Sequence, residues 1–296
     1  MLTEGQTLQG RYRVVHKLGE GGAGQVYLAH HIELDAAVAV KIVRLDDAAL
    51  REEFRIEGRL LAGLSHPNLI RVSDFFEEAD MGCLVMDYID GFTLEQIVTA
   101  EGPLFEATAL AHVAQMLDAL EYLHGRTPPV IMRDLKPSNV MIDSRGNLHL
   151  IDFGIAKQAE AGQQTRSAIR TSASNGYAPL EQYGAGGTNP RSDLYALGAT
   201  LLFLVTAQHP PDAVSRVTAG ERLTDPRTRN ATVSDQTWTA IQTLAAIPQA
   251  DRPASVVEAR ALLFGRDLQV ERPTGFYAAV APPNDSGASA VTPPPP

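Results

Sequence analysis

The chain has 296 residues, enough for one large domain or for two modest lobes around a shared cleft. Its 44% hydrophobic content can bury a substantial core, and 25 Lys and Arg against 35 Asp and Glu leave a formal charge of −10. That balance argues against nucleic acid or an anionic membrane surface as the main partner, since both reward basic patches.

The N-terminus, MLTEGQTLQGRYR, carries no visible signal peptide. Residues 11–43 read as strands, with β-branched residues in RYRVVHKL and AAVAVKIV. Between them, LGEGGAGQV places Gly19, Gly21 and Gly24 in a GxGxxG pattern with Val26 two residues on. Glycines let a backbone approach a phosphate closely. The strand-like QVYLAHH follows, so a hairpin flap fits better than the helix-opening loop of a dinucleotide-binding unit. There is no GxxxxGK[ST] loop. Alternation in AAVAVKIV puts Ala37, Ala39 and Lys41 on one strand face. Residues 47–64 predict a helix with Leu50, Phe54, Leu61 and Leu64 on one side, and Glu57 falls on that side too. A buried carboxylate is costly without a cation, and Lys41 is the expected partner. The plainer alternative is a snorkelling lysine and a glutamate at the helix boundary.

CLVMDYI (83–89) reads as another apolar strand, ended by Asp90-Gly91. Its Cys83 is the single cysteine, which excludes an internal disulfide and any multi-cysteine zinc site and fits a buried thiol in a reducing compartment. Helical patterns then cover 106–124, 192–206, 234–246 and 254–263, with short strands around 138–152. The apolar run LYALGATLLFLVTA (194–207) is too short to span a bilayer, and a soluble cytoplasmic protein is the expectation. From about Arg266 the composition turns to Pro, Ala, Gly and Ser, that of a linker or a disordered tail (265–296).

The densest chemistry lies in VIMRDLKPSNVMI (130–142). Asp134, Lys136 and Asn139 suit phosphoryl transfer: a carboxylate to orient a hydroxyl and accept its proton, a cation to neutralise a migrating phosphoryl group, and an amide oxygen for a hard divalent ion. Downstream, LHLIDFGIA offers Asp152 at a strand end as a second oxygen ligand, followed by Phe153-Gly154.

With RDLKPSN, DFG, the AVK lysine and the GxGxxG hairpin in this order, residues 11–264 resemble the eukaryotic-like protein kinases, in particular the bacterial serine/threonine kinases. The resemblance implies an α+β, two-lobed fold: a small, mainly-β N-lobe (about 11–88) with one key helix, and a larger, mainly-α C-lobe (about 90–264). It implies ATP in the cleft with magnesium, manganese being an alternative ion. The glycine-rich hairpin, Gly19, Glu20, Gly21, Gly22, Ala23, Gly24 and Gln25, would cover the phosphates. Lys41 would hold the α- and β-phosphates and pair with Glu57. Asp134 would be the catalytic base, and Asn139 and Asp152 the metal ligands. Leu18, Val26, Ala39 and Met141 would sandwich the adenine, with Met86 behind it and Asp87, Tyr88 and Ile89 as the hinge. NGYAPLEQY resembles the segment that closes the activation loop, with Glu181 pairing to Arg252, although Leu180 stands where proline usually precedes that acid. Asp193 of SDLYALG would brace the catalytic loop. Protein substrates are implied, and autophosphorylation in trans, within a homodimer, is expected at Thr171 first and Ser167 next, with Arg133 receiving the phosphate.

One departure lies beside the catalytic base. The family usually has histidine before Arg133-Asp134, and here Met132 stands there. Methionine can fill an apolar stack with Leu61 and Phe153, at the loss of a hydrogen bond worth about 1 kcal/mol. An active kinase is expected. Two alternatives stay open: a pseudokinase scaffold that binds nucleotide or a partner without efficient catalysis, and a small-molecule kinase on a related fold.

Overall fold

The computed structural model describes residues 2–21, 24–152, 176–183 and 187–265. Nine strands and seven α-helices make up these residues. The first six strands are β1 (Thr7–Leu8), β2 (Tyr12–Gly21), β3 (Gly24–His31), β4 (Ala36–Arg44), β5 (Val72–Glu78) and β6 (Met81–Asp87), with α1 (Ala48–Ala62) inserted before β5. They form one antiparallel sheet in the order β1-β2-β3-β4-β6-β5.

The sheet has two different faces because its central strand alternates. On β4, Val38, Val40 and Ile42 pack with Tyr12, Tyr27 and Val85 into a small core on one side. Ala39 points to the other side, where Leu84, Met86 and the α1 residues Phe54 and Leu61 join the main core of the molecule. Period-2 alternation thus gives the sheet an interior of its own and still leaves a face for the rest of the chain. Helix α1 begins where Asp47 accepts the Leu50 amide at 2.8 Å, a side-chain N-cap.

The second lobe contains β7 (Gly91–Thr93), α2 (Leu94–Glu101), α3 (Glu106–His124), β8 (Val140–Asp143), β9 (Leu148–Leu150), α4 (Pro190–Thr206), α5 (Ala213–Thr218), α6 (Asp235–Leu244) and α7 (Val256–Phe264). Strands β7, β8 and β9 form a small antiparallel sheet at its top. Helix α4 is buried from Ser192 to Thr206 and is the axis against which α3 and α6 pack. It starts two residues ahead of the predicted bound, because Asn189 caps it and Pro190 occupies its first turn. Among the described residues no helix is long and apolar enough to cross a membrane.

Buried Asn68 stitches the lobes together. Its side chain donates to the Leu148 carbonyl at 2.8 Å and to Gln115 at 3.2 Å. The Leu150 amide donates back to the Asn68 carbonyl at 2.8 Å, and Ile70 donates to the Leu150 carbonyl at 3.0 Å. The segment leading into β5 is therefore hydrogen-bonded to β9, two residues before Asp152.

Candidate active site

A carboxylate from another element shapes the loop between α3 and β8. Asp193, in the first turn of α4, is fully buried. Its Oδ2 accepts the Met132 amide at 2.9 Å and its Oδ1 the Arg133 amide at 2.8 Å. His124 Nε2, at the end of α3, lies 2.8 Å from the same Oδ2. With two successive N–H groups drawn to one side chain, the chain closes a three-residue turn. The Asp134 amide donates to the Met132 carbonyl at 2.9 Å, and Arg133 takes φ 65°. A non-glycine residue in that region costs on the order of 1–3 kcal/mol, and the buried carboxylate offsets it. The Gln182 side chain holds the Arg133 carbonyl at 2.8 Å.

The turn presents Asp134 outward, between two donors. Asn139 Nδ2 donates to its Oδ2 at 2.9 Å and to its carbonyl at 2.8 Å, and Lys136 Nζ lies 2.9 Å from the same Oδ2. The Asn139 amide nitrogen is committed to Asp134, which leaves its oxygen as the atom to offer a cation. Met132 is fully buried in the same core cluster as Leu61. Phe153, the third member of the expected stack, lies outside the described residues, as do Gly22, Ala23, Thr171, Ser167 and the tail from 266.

From the sheet lobe, Lys41 stands on β4 opposite Val26 of β3 and Leu84 of β6. Its ammonium is ion-paired with Asp152, which follows β9 with φ 55°. The Ile151 amide donates to the Asn139 carbonyl at 2.9 Å, so the two oxygen donors Asn139 and Asp152 are brought together by the backbone. The sequence pairs Lys41 with Glu57; the structure ion-pairs Lys41 with Asp152 and keeps Glu57 within reach of its charge. Burial pushes the Glu57 carboxyl up to about 7 against the pull of the Lys41 charge, and Asp152 and Glu53 add to the rise. Asp152 is more than a third exposed. Folded Glu57 thus holds its proton to higher pH than the unfolded chain does, so stability falls as pH rises from 4.5 toward 7. Glu57→Gln should remove that slope: in urea titrations its advantage over wild type should be absent below the ordinary glutamate range and largest above about pH 7.

The glycine-rich hairpin runs from Leu18 to Val26, with Gly19 opposite Val26, Glu20 opposite Gln25 and Gly21 opposite Gly24. Gly24 cannot be replaced without rebuilding: its φ is 131°, and an added Cβ would lie 2.2 Å from the Ile42 carbonyl oxygen. Ala39 and Met86 face each other across β4 and β6 and are both buried, Val26 packs against the core cluster that contains them, and Leu18 is exposed. Met141 sits half-buried on β8, opposite Thr93 of β7. Strand β6 ends at Asp87, and Tyr88 and Ile89 carry the chain to β7 between the two sheets.

Behind the site, Arg252 is fully enclosed and grips Glu181 with both arms, Nη1 to Oε1 at 2.6 Å and Nη2 to Oε2 at 3.2 Å. Its remaining donors go to the carbonyls of Ala246, Ile247 and Arg191. Ser192 and Gln249 also donate to Glu181 Oε1.

Three supports went unread in the sequence: His124, Gln182 and Asn68. Each acts on backbone or carboxylate far along the chain, and only Gln182, beside Glu181, carried a local signal.

The donor set fits a magnesium–triphosphate. Among the described residues no three His, Cys, Asp or Glu side chains converge on one point. An amide oxygen and a carboxylate are the sparse protein ligation that magnesium accepts when substrate phosphates supply the rest. A lysine beside that carboxylate is placed to offer positive charge to such phosphates.

Comparison with known proteins agrees with this geometry. The family model described as "Protein kinase domain" matches residues 12–258. Serine/threonine-protein kinase PrkC of Bacillus subtilis is 38% identical over 216 residues, covering 72% of this chain and 33% of the relative. Serine/threonine-protein kinase pkn3 of Myxococcus xanthus is 35% identical over 308 residues, covering 98% of this chain and 55% of the relative. The chain thus spans about a third to a half of the length of these relatives. A crystal structure of the Mycobacterium tuberculosis PknI kinase domain superposes with a TM-score of 0.70 at 27% identity, covering 89% of this chain and 98% of that one. The chain belongs to the protein kinase domain family, among the bacterial eukaryotic-like serine/threonine kinases.

Proposed function

We propose that the chain transfers the γ-phosphoryl group of ATP to serine and threonine hydroxyls of proteins. The observation that carries this reading is the Lys41–Asp152 ion pair, which joins the sheet lobe to the metal-ligand end of the Asp134–Asn139 cluster. The hairpin residues Gly19, Glu20, Gly21, Gly24 and Gln25 would cover the phosphates. Leu18, Val26, Ala39 and Met141 enclose the adenine, backed by Met86, with the Asp87–Ile89 backbone at its edge. Asn139 and Asp152 are the residues that would hold magnesium, or manganese in its place, and such an ion would neutralise charge on the phosphate oxygens. Lys41 orients the α- and β-phosphates with Glu57 behind it. Asp134 accepts the proton of the incoming hydroxyl, and Lys136, already within 2.9 Å of Asp134, balances the charge that builds on the oxygens in flight.

The same reading extends to regulation. Arg133 Nε is buried without a hydrogen-bond partner among the described residues, and burial lowers its pKa despite the Asp193 charge. A phosphate on Thr171 or Ser167 would satisfy that donor, with one copy modifying another. The test is purified chain with magnesium and γ-labelled ATP, offered generic proteins, aminoglycosides and sugars, followed by phospho-amino-acid analysis. Label on serine and threonine supports the reading. Label only on small molecules, or none, ends it, and mass spectrometry of labelled protein locates the site.

A further inference from the structure

The segment 176–183 lies beside the catalytic turn, because the Gln182 side chain holds the Arg133 carbonyl. Its first residues are pinned to the loop that follows α4. Gly176, at φ 90°, lies against Pro210 so closely that an added Cβ would stand 2.2 Å from the Pro210 carbonyl oxygen. The Tyr177 hydroxyl is 2.8 Å from His209 Nδ1, and the two rings meet edge-on with centroids 5.9 Å apart. Phe203 of α4 is stacked on the His209 ring at 4.8 Å. Tyr177 and Phe203 are buried, whereas His209 is exposed. Two buried rings thus hold a surface imidazole in a fixed orientation.

Helix α2 borders the same region. It packs against the Pro137–Asn139 turn, which carries the metal-ligand candidate Asn139. Leu94, Ile97 and Val98 bury one side of the helix. Glu95, in its first turn, is only half-buried and has no ion-pair partner among the described residues. Its charge reaches the ring platform: burial pushes the Tyr177 phenol up, and the Glu95 carboxylate pushes it further. Arg216 of α5 donates to the Ala245 carbonyl at 2.8 Å and the Tyr195 hydroxyl at 3.3 Å, and does not pair with Glu95. A carboxylate beside an aromatic ring suits arginine. A guanidinium makes two parallel hydrogen bonds to a carboxylate and stacks on a ring, whereas lysine offers only a point charge. The formal charge of −10 also draws cationic partners and disfavours acidic ones.

We propose that Glu95 and His209 form a specificity site for the protein substrate, taking the side chain of an arginine close in sequence to the serine or threonine that meets Asp134. The guanidinium stacks on the His209 platform and directs its donors to Glu95. The proposal rests on the phosphoryl-transfer reading and names its substrate class, proteins with arginine flanking the acceptor hydroxyl.

The experiment uses the full chain, wild type and the variants Glu95→Gln, Glu95→Lys, His209→Phe and His209→Ala, with Asp134→Asn as the inactive reference. The substrates are matched serine peptides in which each flanking position in turn is arginine, leucine or glutamate. Wild type should favour arginine over leucine by about tenfold in kcat/KM at one position. Glu95→Gln should cut that ratio to below about threefold, and Glu95→Lys should favour glutamate at the same position. His209→Phe, which keeps a ring, should hold the preference, and His209→Ala should lower it by about threefold. A ratio taken on one protein is unaffected by its unfolded fraction, so a merely structural role would not move it. The proposal is overturned if no position favours arginine by about fivefold in wild type, or if neither Glu95 variant lowers the ratio by about threefold. Label on generic proteins without that preference would leave the kinase reading standing. Wild type no more active than Asp134→Asn on any substrate would remove the kinase reading itself, and the proposal with it.

Discussion

Asp134→Asn should lower kcat by about 10²–10⁴-fold while leaving KM for ATP within about twofold, the pattern of a lost proton acceptor rather than a lost binding group. Asparagine has the size of aspartate, and its amide oxygen can take over the hydrogen bond that Asn139 now donates at 2.9 Å. The loop keeps its shape, because that shape is fixed by Asp193 through the Met132 and Arg133 amides and not by Asp134. What asparagine cannot do is accept a proton from a hydroxyl or balance the Lys136 charge. Steady-state and single-turnover assays with excess magnesium separate the two effects. A loss smaller than about tenfold would mean that Asp134 is not the proton acceptor.

The second large effect is on folding. Arg252→Met should destabilise the chain by about 3–5 kcal/mol, because removing one partner of a buried ion pair leaves the other uncompensated. The guanidinium also covers the Tyr195 ring, 4.8 Å from its centroid, and serves three backbone carbonyls, which methionine cannot replace. The pH dependence follows from the sign of the Glu181 shift. Burial alone would raise the Glu181 carboxyl, but the hydrogen bonds from Arg252 and Ser192, with the Arg252 charge, hold it below 4.5. A depressed acid stabilises the fold at pH above its unfolded value and loses that contribution as pH falls through its folded value. The gap in urea midpoint between wild type and Arg252→Met should therefore be full at neutral pH and narrow under acid conditions. A gap independent of pH would place the stabilisation in packing alone.

Much of the site was legible because its chemistry is compressed into a few residues. The run from Arg133 to Asn139 has more charge than a strand and more apolar flank than a loop, and the structure spends that charge on Asp134. The helices at 106–124 and 192–206 were legible from their apolar content, and α3 has the bounds read from sequence. Strand β5 and helix α2 were not read. VSDFFEE alternates poorly because it is the edge strand, and its Glu77 faces α1 arginines instead of water. Helix α2 is only LEQIVTAE, eight residues, though its capping box, Thr93 with Gln96, stood in the sequence as a signal. The partner of Lys41 was not readable at all. Glu57 and Asp152 are both suitable carboxylates, and only the folded chain brings Asp152, held at φ 55°, onto the Lys41 ammonium. The Asp193 contacts were expected in kind, but the left-handed turn they impose on Arg133 emerges only when both oxygens are seen to be occupied.

All of this depends on residues from two lobes serving one metal–nucleotide. The direct measurement is calorimetric titration of ATP into the wild-type chain, Lys41→Met and Asp152→Asn, each with and without magnesium. Wild type should bind more tightly with the ion than without it. Asp152→Asn should lose most of that magnesium enhancement, and Lys41→Met should weaken binding under both conditions. Equal affinities in all three proteins, with the same response to magnesium, would show that Lys41 and Asp152 do not meet a common triphosphate.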